Sequence, residues 1–340
     1  MHLRDLTAVP TVVSDIVTLT RKVMTAMTQL ITPVVTEEES PEKKVAHVLD
    51  LVRHAIRKSG IDAHGLQRII EQGGVFQARI IPILQELALP WTNEFADELT
   101  KLGYSYPQGW SPDPLDVQRD RLLAAFPGLK LPDPIKGDLP TGFDVLGYHI
   151  FPERLGLRHG ISDCNGASYG HLIQEVVFPK LAEVYKANGR GFENYRAGEL
   201  GSDYIRLELR GRVALEAIQA VTEYDAYIAP VSYGKRWAPN TLSPRNARET
   251  ALLAKELAQG SAQVGCHLIA QPGRLVAYED LFLDCSGDEY NWDAGGGWSS
   301  CPGFYFRDGA LRFSADWAED ADEYYGSVVA LSPGVPVSGL

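Results

Sequence analysis

The chain has 340 residues, of which 45% are hydrophobic and 22% are charged, and its formal net charge is −12. This composition is typical of a globular protein with room for two domains. The acidic balance, with a pI near 5.2, argues against a general nucleic-acid or anionic-membrane binder, since such proteins carry a basic face.

The cysteines and the apolar runs bear on the cellular compartment. Four scattered cysteines without a CxxC pair argue against a disulfide scaffold and a structural zinc site. The first 30 residues lack a charged segment followed by an unbroken apolar run, and no stretch of 18 apolar residues occurs in the chain. We therefore expect a cytoplasmic protein with free thiols and no membrane span.

Apolar residues recur at helical spacing over residues 11–31, which predicts an amphipathic helix. Its apolar face suits either packing on the protein's own core or association with a partner, including a second copy of the chain. Binding to a membrane surface is poorly supported because only Arg21 and Lys22 supply positive charge.

Helical patterns continue after this stretch. Ser40 and Pro41 mark the start of one helix, and further helices follow, one of them over roughly 91–102. We therefore expect residues 1–126 to form an all-helical region. Residues 127–142 hold four prolines and three glycines, which predicts a linker and a domain boundary.

Strand and helix patterns alternate beyond this linker. Strands are predicted at 143–151, at "DAYIAPVSYG" and at "AQVGCHLIAQ", with helices between them. Short strands with turn residues follow Pro272, and "SVVALSP" is predicted to close the sheet. The sequence thus predicts an α+β protein whose residues 143–340 form a mixed α/β domain with an antiparallel C-terminal part.

Residues 281–306, "LFLDCSGDEYNWDAGGGWSSCPGFYF", form the segment richest in chemically active side chains. Between Glu279 and Glu323 twelve acids face two bases, which leaves −10 of the net charge in this region. Carboxylates suit a hard cation such as Ca²⁺ or Mg²⁺, although the spacing does not match an EF-hand. The metal-ligand candidates are Asp284, Asp288, Glu289 and Asp293.

Two other interpretations of this segment remain open. One is a solvated acidic loop between two strands, with the triple glycine as a turn. The other is a catalytic or substrate-binding site that uses the same acids. The catalytic candidates are Asp284, Asp288 and Glu289, with His159 as a base or Cys164 as a nucleophile from the irregular segment 147–171. For the last two residues, ordinary hydrogen bonding within a loop is the alternative.

A basic loop follows the predicted strand that ends at Ser232, and a helix then begins at Ser243. Cations near a helix N-terminus combine with free backbone N–H groups, which suits an anion such as phosphate or carboxylate. The alternative is that these cations pair with the protein's own acids. The anion-binding candidates are Lys235, Arg236, Arg245 and Arg248. No P-loop, GxGxxG or GxSxG motif occurs in the chain.

Several segments resemble a family of uncharacterised proteins predicted from genomes of uncultivated bacteria. The resemblance is carried by "VGCHLIAQPGRLVAYEDLFLDCSGDEYNWD", "FYFRDGALRF", "YYGSVVALSP", "FENYRAGELG" and "LQRIIEQGG", of which "LDCSGDEY" is the most specific element. It implies no activity, cofactor or catalytic residue that can be transferred to this chain.

Three functions are compatible with these patterns. The first is an intracellular interaction or assembly protein that binds a protein partner or associates with itself through residues 11–31. The second is a hydrolase that acts on a charged small molecule through the acidic and basic loops. The third is an accessory protein associated with nucleic acid, which the acidic net charge disfavours. The sequence names no cofactor for any of them.

The assembly hypothesis predicts a solution mass far above the 37.4 kDa of a single chain. Deleting residues 1–31 removes the amphipathic stretch and is expected to disrupt the oligomer. Gel filtration coupled to light scattering measures both quantities. A full-length monomer whose mass and elution are unaffected by the deletion would contradict the hypothesis.

Overall fold

A computed structural model describes residues 41–58, 60–74, 76 and 92–333. The chain divides into two compact units, Met1–Trp91 with Ser338–Leu340 and Thr92–Val337. The helix predicted over 11–31 lies outside the described residues. Within the described ranges, no helix has the length and apolar character needed to cross a bilayer.

The first unit contains two described helices, α1 (Pro41–Lys58) and α2 (Ala63–Glu71). Helix α2 begins where the side chain of Asp62 accepts a 2.7 Å hydrogen bond from the backbone N–H of Gly65. This bond satisfies one of the N–H groups that a helix start leaves without an intrahelical acceptor.

The second unit combines helices with a large sheet. Its helices are α3 (Leu115–Ala125), α4 (Pro152–Arg158), α5 (Tyr169–Leu172), α6 (Phe178–Ala187), α7 (Leu209–Ala220), α8 (Pro244–Leu253) and α9 (Ser261–Ala270). A π-helical segment, Ile173–Val177, joins α5 to α6. Its strands are β1 (Leu99–Lys101), β2 (Val145–Ile150), β3 (Gly191–Asn194), β4 (Ile205–Leu207), β5 (Ala226–Tyr233), β6 (Asn240–Leu242), β7 (Glu256–Ala258), β8 (Phe282–Asp284), β9 (Asp288–Tyr290), β10 (Ser300–Arg307), β11 (Ala310–Trp317) and β12 (Tyr325–Leu331).

The main sheet of this unit is mixed. Its central path runs β2-β5-β12-β8-β10-β11-β3, with β4, β7 and β9 attached beside it. The β12–β8 and β11–β3 pairs are parallel and the other pairs along the path are antiparallel. The α+β class predicted from the sequence is therefore confirmed.

Helices α6 and α9 pack on one face of the sheet. On that face the ring of Phe178 from α6 lies 4.8 Å from Phe313 and 6.1 Å from Phe304, measured between centroids. Helix α9 lies deeper, and all ten of its residues are buried. The burial of so many apolar side chains is the main stabilising contribution to this unit.

The strand predicted at "AQVGCHLIAQ" is wrong, because these residues form most of α9. A helix that is buried on every side is apolar all round, so its sequence lacks the 3.6-residue periodicity that identifies a surface helix. The helix begins at Gly260, whose backbone N–H donates to the side chain of Gln263 at 3.0 Å.

The all-helical region predicted for residues 1–126 is not supported. Leu99 to Lys101, inside the helix expected at 91–102, form strand β1, which pairs with β6. The predicted linker 127–142 also begins inside the second unit, since Leu129 and Leu131 are buried. Lys130 exchanges two hydrogen bonds of 2.7 Å with Asp225. The division between units therefore lies at Thr92, and α3 belongs to the sheet-containing unit.

Two buried histidines meet between β2 and α9. His149 Nδ1 lies 3.2 Å from His267 Nε2 and 3.0 Å from the side-chain oxygen of Gln259, and the imidazole of His149 stacks on Tyr227. Burial lowers the pKa of His149 to about 4. Burial, and then the charge of His149, hold the pKa of His267 well below its usual range. Both imidazoles are therefore neutral in the folded protein at neutral pH.

This histidine pair makes stability sensitive to acid. The unfolded histidines take up protons below about pH 6.5, whereas the folded ones do not, so their contribution to stability is lost as the pH falls toward 4. His149→Gln removes one of these titrating groups and should reduce the slope of unfolding free energy against pH, by at most about 1.4 kcal/mol per unit near pH 5 and by less at pH 7, where most of the unfolded histidine is already neutral. Urea unfolding at pH 5, 6 and 7 measures the slope.

His171→Gln is the matched control, since His171 is exposed. The other titrating groups contribute equally to the pH dependence of every variant, so their contribution cancels when the slopes are compared. Equal slopes for His149→Gln and the wild type would show that His149 takes up its proton equally in the folded and unfolded states.

Candidate functional site

The sheet face opposite helices α6 and α9 carries a row of large side chains across five strands. Side chains alternate between the two faces of a strand, so residues adjacent to the helix-facing Leu283, Phe304 and Phe313 point to this second face, which we call the open face. The strand registers align along it Tyr325 on β12, Phe282 on β8, Tyr305 on β10, Arg312 on β11 and Glu193 on β3.

Aromatic rings pack around Phe282 on the open face. Its centroid lies 5.1 Å from that of Tyr325 and 5.6 Å from those of Tyr305 and Tyr104. These separations and tilted or edge-on orientations are favourable for aromatic pairs. We call this group the tyrosine cluster, and it comprises Tyr104, Tyr278, Phe282, Tyr305, Tyr324 and Tyr325.

The outer edge of the tyrosine cluster reaches solvent. Tyr278 is 53% exposed and Tyr324 is 39% exposed, and both rings contact Tyr104. The guanidinium of Arg307 lies 5.8 Å from the centroid of Tyr278. Partly exposed tyrosines combine apolar contact area with a hydroxyl, which is why they are enriched at binding surfaces.

Asp284 lies on the open face beside this cluster. It is paired with Gly303 of β10 and with Ser327 of β12. Its side chain is only 8% exposed, yet it makes no hydrogen bond or ion pair with any residue that the structure describes. The hydroxyl of Ser327 is also buried without a described partner. Buried polar groups are normally hydrogen-bonded, so this carboxyl departs from the usual pattern.

Gly303 packs closely against its neighbours beside this carboxyl. A Cβ atom placed on Gly303 would lie 3.1 Å from the backbone oxygen of Leu283, 3.2 Å from Tyr325 Cε1 and 3.7 Å from Asp284 Oδ1. The first two separations are tighter than ordinary van der Waals contact, so a side chain at position 303 would force the ring or the strand to shift.

Further carboxylates surround Asp284. Burial raises the pKa of Asp284 to about 8, and the charges of Asp322 and Asp316 add to the rise, while the guanidinium of Arg248 opposes it. Burial also raises the pKa of Asp322, with contributions from Asp316 and Glu323. A group of this kind attracts a positive charge, because a cation would relieve both the desolvation and the repulsion.

Asp288 has a different role four residues later in the chain. It is fully buried, and its two carboxylate oxygens accept 2.7 Å hydrogen bonds from the hydroxyl of Tyr169 and the backbone N–H of Ser261. A Cβ atom on Gly260 would lie 2.1 Å from Asp288 Oδ1, so only glycine allows this close approach. Burial raises the pKa of Asp288 to about 7, and the bonds from Ser261 and Tyr169 lower it. Asp288 thus holds the start of α9.

The metal site considered for the acidic segment does not assemble. Glu289 pairs with Arg206 at 2.7 Å, and Asp293 is exposed in the loop after β9. Together with the separate partners of Asp284 and Asp288, this arrangement leaves the four predicted ligands apart. Across the described ranges, no group of three or more histidine, cysteine, aspartate or glutamate side chains is arranged to hold a metal ion.

The four basic candidates are dispersed as well. Arg236 pairs with Glu256 at 2.7 Å, and Arg245 pairs with Glu98. Each arginine is therefore neutralised by a carboxylate outside the acidic segment, although Arg245 also lies 3.4 Å from Glu319 within it.

The other two basic candidates contact neutral groups. Arg248 donates to the backbone oxygens of Ser286 and Asp288 and so fixes the turn between β8 and β9. Lys235 donates to the hydroxyl of Ser105 at 2.6 Å and lies 4.4 Å from the centroid of Tyr106. The structure therefore does not gather the predicted anion site.

His159 and Cys164 occupy ordinary structural positions. His159 ends helix α4, is exposed, and lies edge-on to Phe126 at 6.2 Å. Cys164 is buried, and burial followed by the charges of Glu153 and Asp163 raises its pKa to about 11. A thiol with such a pKa is protonated at neutral pH and is a poor nucleophile.

Comparisons with known proteins find no matching family model, no matching curated protein and no matching solved structure. The site is therefore interpreted from its geometry alone.

The unpaired carboxyl of Asp284 should cost stability at high pH. Its folded pKa lies above the unfolded value of about 3.9, so the folded state holds a proton between about pH 4 and pH 8 that the unfolded state has lost. Stability therefore falls as pH rises through this window. Asp284→Asn keeps the shape of the protonated group, and at pH 8.5 it should be more stable than the wild type by roughly 2–4 kcal/mol.

Urea unfolding at pH 4.5 and 8.5 measures this effect, which should nearly vanish at the lower pH. Asp293→Asn removes the same charge at an exposed position and should change stability by no more than about 0.5 kcal/mol. An Asp284→Asn variant that is less stable than the wild type at pH 8.5 would mean that Asp284 has a stabilising partner.

Proposed function

We propose that the protein is an interaction protein without catalytic activity, which binds a positively charged segment of a protein partner on the open face of its sheet. The observation that carries this proposal is Asp284, a nearly buried carboxyl that lacks a described partner beside partly exposed tyrosines. Proteins retain unsatisfied polar groups that reduce stability mainly where function requires them.

The chemistry of the open face supports a binding surface. Tyr278 and Tyr324 offer rigid aromatic area to solvent, and aromatic residues are enriched among those that contribute most to binding energy. The acidic segment from Glu279 to Glu323, which includes Asp316 and Asp322, carries a net −10. Charge complementarity therefore favours a basic partner and increases its association rate.

A hydrolase at the acidic loop receives less support. Asp284 faces the open side of the sheet, whereas both oxygens of Asp288 are occupied by Tyr169 and Ser261. An acid and base pair needs both groups within reach of one substrate, and a carboxylate that holds a helix start is not free for that task. The basic loop that would complete the site is engaged elsewhere in the fold.

Selection of peptides from a random displayed library against the wild-type protein tests this proposal. We expect basic peptides whose affinity falls at least tenfold with Tyr278→Ser, which corresponds to about 1.4 kcal/mol of binding free energy. Fluorescence anisotropy with the selected peptides measures the affinities.

Leu157→Ser is the matched control, because Leu157 is an apolar surface residue of helix α4 that is 58% exposed. The peptides should bind this variant with an affinity within twofold of the wild type. A selection that yields no peptide dependent on Tyr278 would overturn the proposed function.

A further inference from the structure

We infer that the basic segment of the partner binds in an extended conformation as an additional strand along the outer edge of β3, antiparallel to it, with a lysine or arginine opposite Glu193. The inference rests on the proposed function and specifies how the segment is held. Its basis is a short row of backbone hydrogen-bonding groups on β3 that have no described partner.

Strand β3 lies at one end of the main sheet, and among the described strands it pairs with β11 alone. The backbone N–H groups of Gly191 and Tyr195 donate to oxygens of β11 at 2.9 and 3.0 Å. Alternate residues of a strand face opposite edges, so the N–H and C=O groups of Phe192 and Asn194 point away from β11. Neither residue forms a backbone hydrogen bond with any part of the chain that the structure describes.

The opposite end of the sheet is treated differently. Helix α3 lies against β2, and the side chain of Gln118 donates to the backbone oxygen of Leu146 at 2.9 Å. Proteins usually cap or charge an exposed edge in this way, because unpaired N–H and C=O groups form hydrogen bonds with any extended chain. The edge of β3 carries no such cap from the described residues, and Gly191 and Glu193 are exposed along it.

The neighbouring residues set the length and register of an added strand. The N–H of Arg190 donates to a backbone oxygen of α6, and the N–H of Arg196 donates to the side chain of Asn194, both at 2.9 Å. The available edge is therefore Phe192 to Asn194. An antiparallel strand would place one residue opposite each of these two and form four backbone hydrogen bonds. The residue between them would lie opposite Glu193, with its side chain on the open face.

Charge favours a basic side chain at that position. Glu193 Oε2 accepts hydrogen bonds from Arg312 Nε at 2.8 Å and from the hydroxyl of Tyr195 at 3.0 Å, whereas Oε1 has no partner among the described residues. Asp308 also lies 3.1 Å from Arg312, so two carboxylates share one guanidinium. Residues that face each other without backbone bonds have Cα atoms about 4.5 Å apart, and opposite charges in such a pair are stabilising.

The same glutamate opposes pairing with a second copy of the chain. A two-fold β3 pair that uses all four free groups would place Glu193 directly opposite Glu193 of the other copy, and like charges in that position are destabilising. Moving the axis to Phe192 or Asn194 would require the N–H of Arg190 or Arg196, which is already bonded. Each chain also carries a net charge of −12. The edge therefore fits a basic partner better than a second copy.

The edge is continuous with the tyrosine cluster. Gly191 is paired with Ala310, and Ala310 is paired with Arg307, so these residues span two strand spacings, about 10 Å. The guanidinium of Arg307 lies 5.8 Å from the centroid of Tyr278. A partner antiparallel to β3 would continue past Gly191 at this end of the sheet. One partner could therefore contact both the edge of β3 and Tyr278.

The test uses the peptide acetyl-Thr-Thr-Lys-Val-Thr-amide as the probe, with the full-length protein. In the inferred register its lysine lies opposite Glu193 and its valine opposite Phe192. Hydrogen exchange resolved to single amides measures binding. At about 5 mM peptide the amides of Phe192 and Asn194 should exchange at least threefold more slowly, because they become hydrogen-bonded.

Two N-methylated peptides separate strand addition from other binding without any change to the protein. The valine N–H would donate to the backbone oxygen of Phe192, so its methylation should weaken binding at least tenfold. The lysine N–H would point away from β3, so its methylation should change binding by less than about threefold. Replacing the lysine by glutamate should weaken binding at least threefold.

Protein variants locate the site. Asn194→Pro removes an outward N–H while leaving the bonds to β11, and should weaken binding at least tenfold. Asn194→Ala is the matched control, since it loses the same side-chain bond to Arg196 but keeps the N–H. Glu193→Gln should weaken binding of the lysine peptide by about threefold. Asp293→Asn, an exposed acid elsewhere on the unit, should have no effect.

Several results would overturn the inference. One is unchanged exchange at Phe192 and Asn194 at about 5 mM peptide. Another is equal weakening by the two N-methyl groups, or binding that Asn194→Pro does not alter. A dimer that Asn194→Pro dissociates would assign the edge to a second copy instead.

The outcome is separable from that of the proposed function. If selected peptides depend on Tyr278 but bind Asn194→Pro as tightly as the wild type, and the strand probe does not bind, strand addition is wrong while the interaction surface stands. If the probe binds with the expected N-methyl pattern but no selected peptide depends on Tyr278, β3 is a docking edge and the proposed role of the tyrosine cluster is wrong.

Discussion

The second unit depends on the contact between the carboxylate of Asp288 and the start of helix α9. One oxygen accepts from the backbone N–H of Ser261 and the other from the hydroxyl of Tyr169, so a single residue of β9 joins the buried helix to α5. Arg248 holds the same turn through its backbone oxygens. Since all of α9 is buried, the N–H groups at its start have no access to water, and this carboxylate replaces the water they would otherwise need.

Asp284 and Asp288 lie four residues apart and differ in their hydrogen-bond partners. Asp288 points toward the helices and has both oxygens occupied, whereas Asp284 lies at the end of β8 on the open face without a described partner. Both are buried and both have raised pKa values, near 7 and near 8. Burial alone therefore does not distinguish them, and the hydrogen-bond partners do. The carboxylate of Asp288 is occupied in holding the start of α9, whereas the carboxyl of Asp284 makes no described hydrogen bond.

Local patterns were sufficient to predict some elements and insufficient for others. Strands β2, β5 and β12 were predicted, because short apolar runs bounded by turn residues identify buried strands. The apolar residues of helix α9 show no helical period and therefore predict a strand. The start of this helix is completed by Asp288, which lies 27 positions away from Ser261.

The candidate site was predictable only in part, for a related reason. The sequence identifies Asp284 as a candidate because it belongs to a dense acidic segment. It does not identify the tyrosine cluster, because Tyr104 meets Phe282 and Tyr324 only through the fold.

The position of strand β12 has a consequence for folding during synthesis. It lies between β5 and β8 in the interior of the sheet, although it is the last strand of the described chain. Residue 331 must therefore leave the ribosome before the sheet can close, and until then the edges of β5 and β8 that β12 covers stay unpaired.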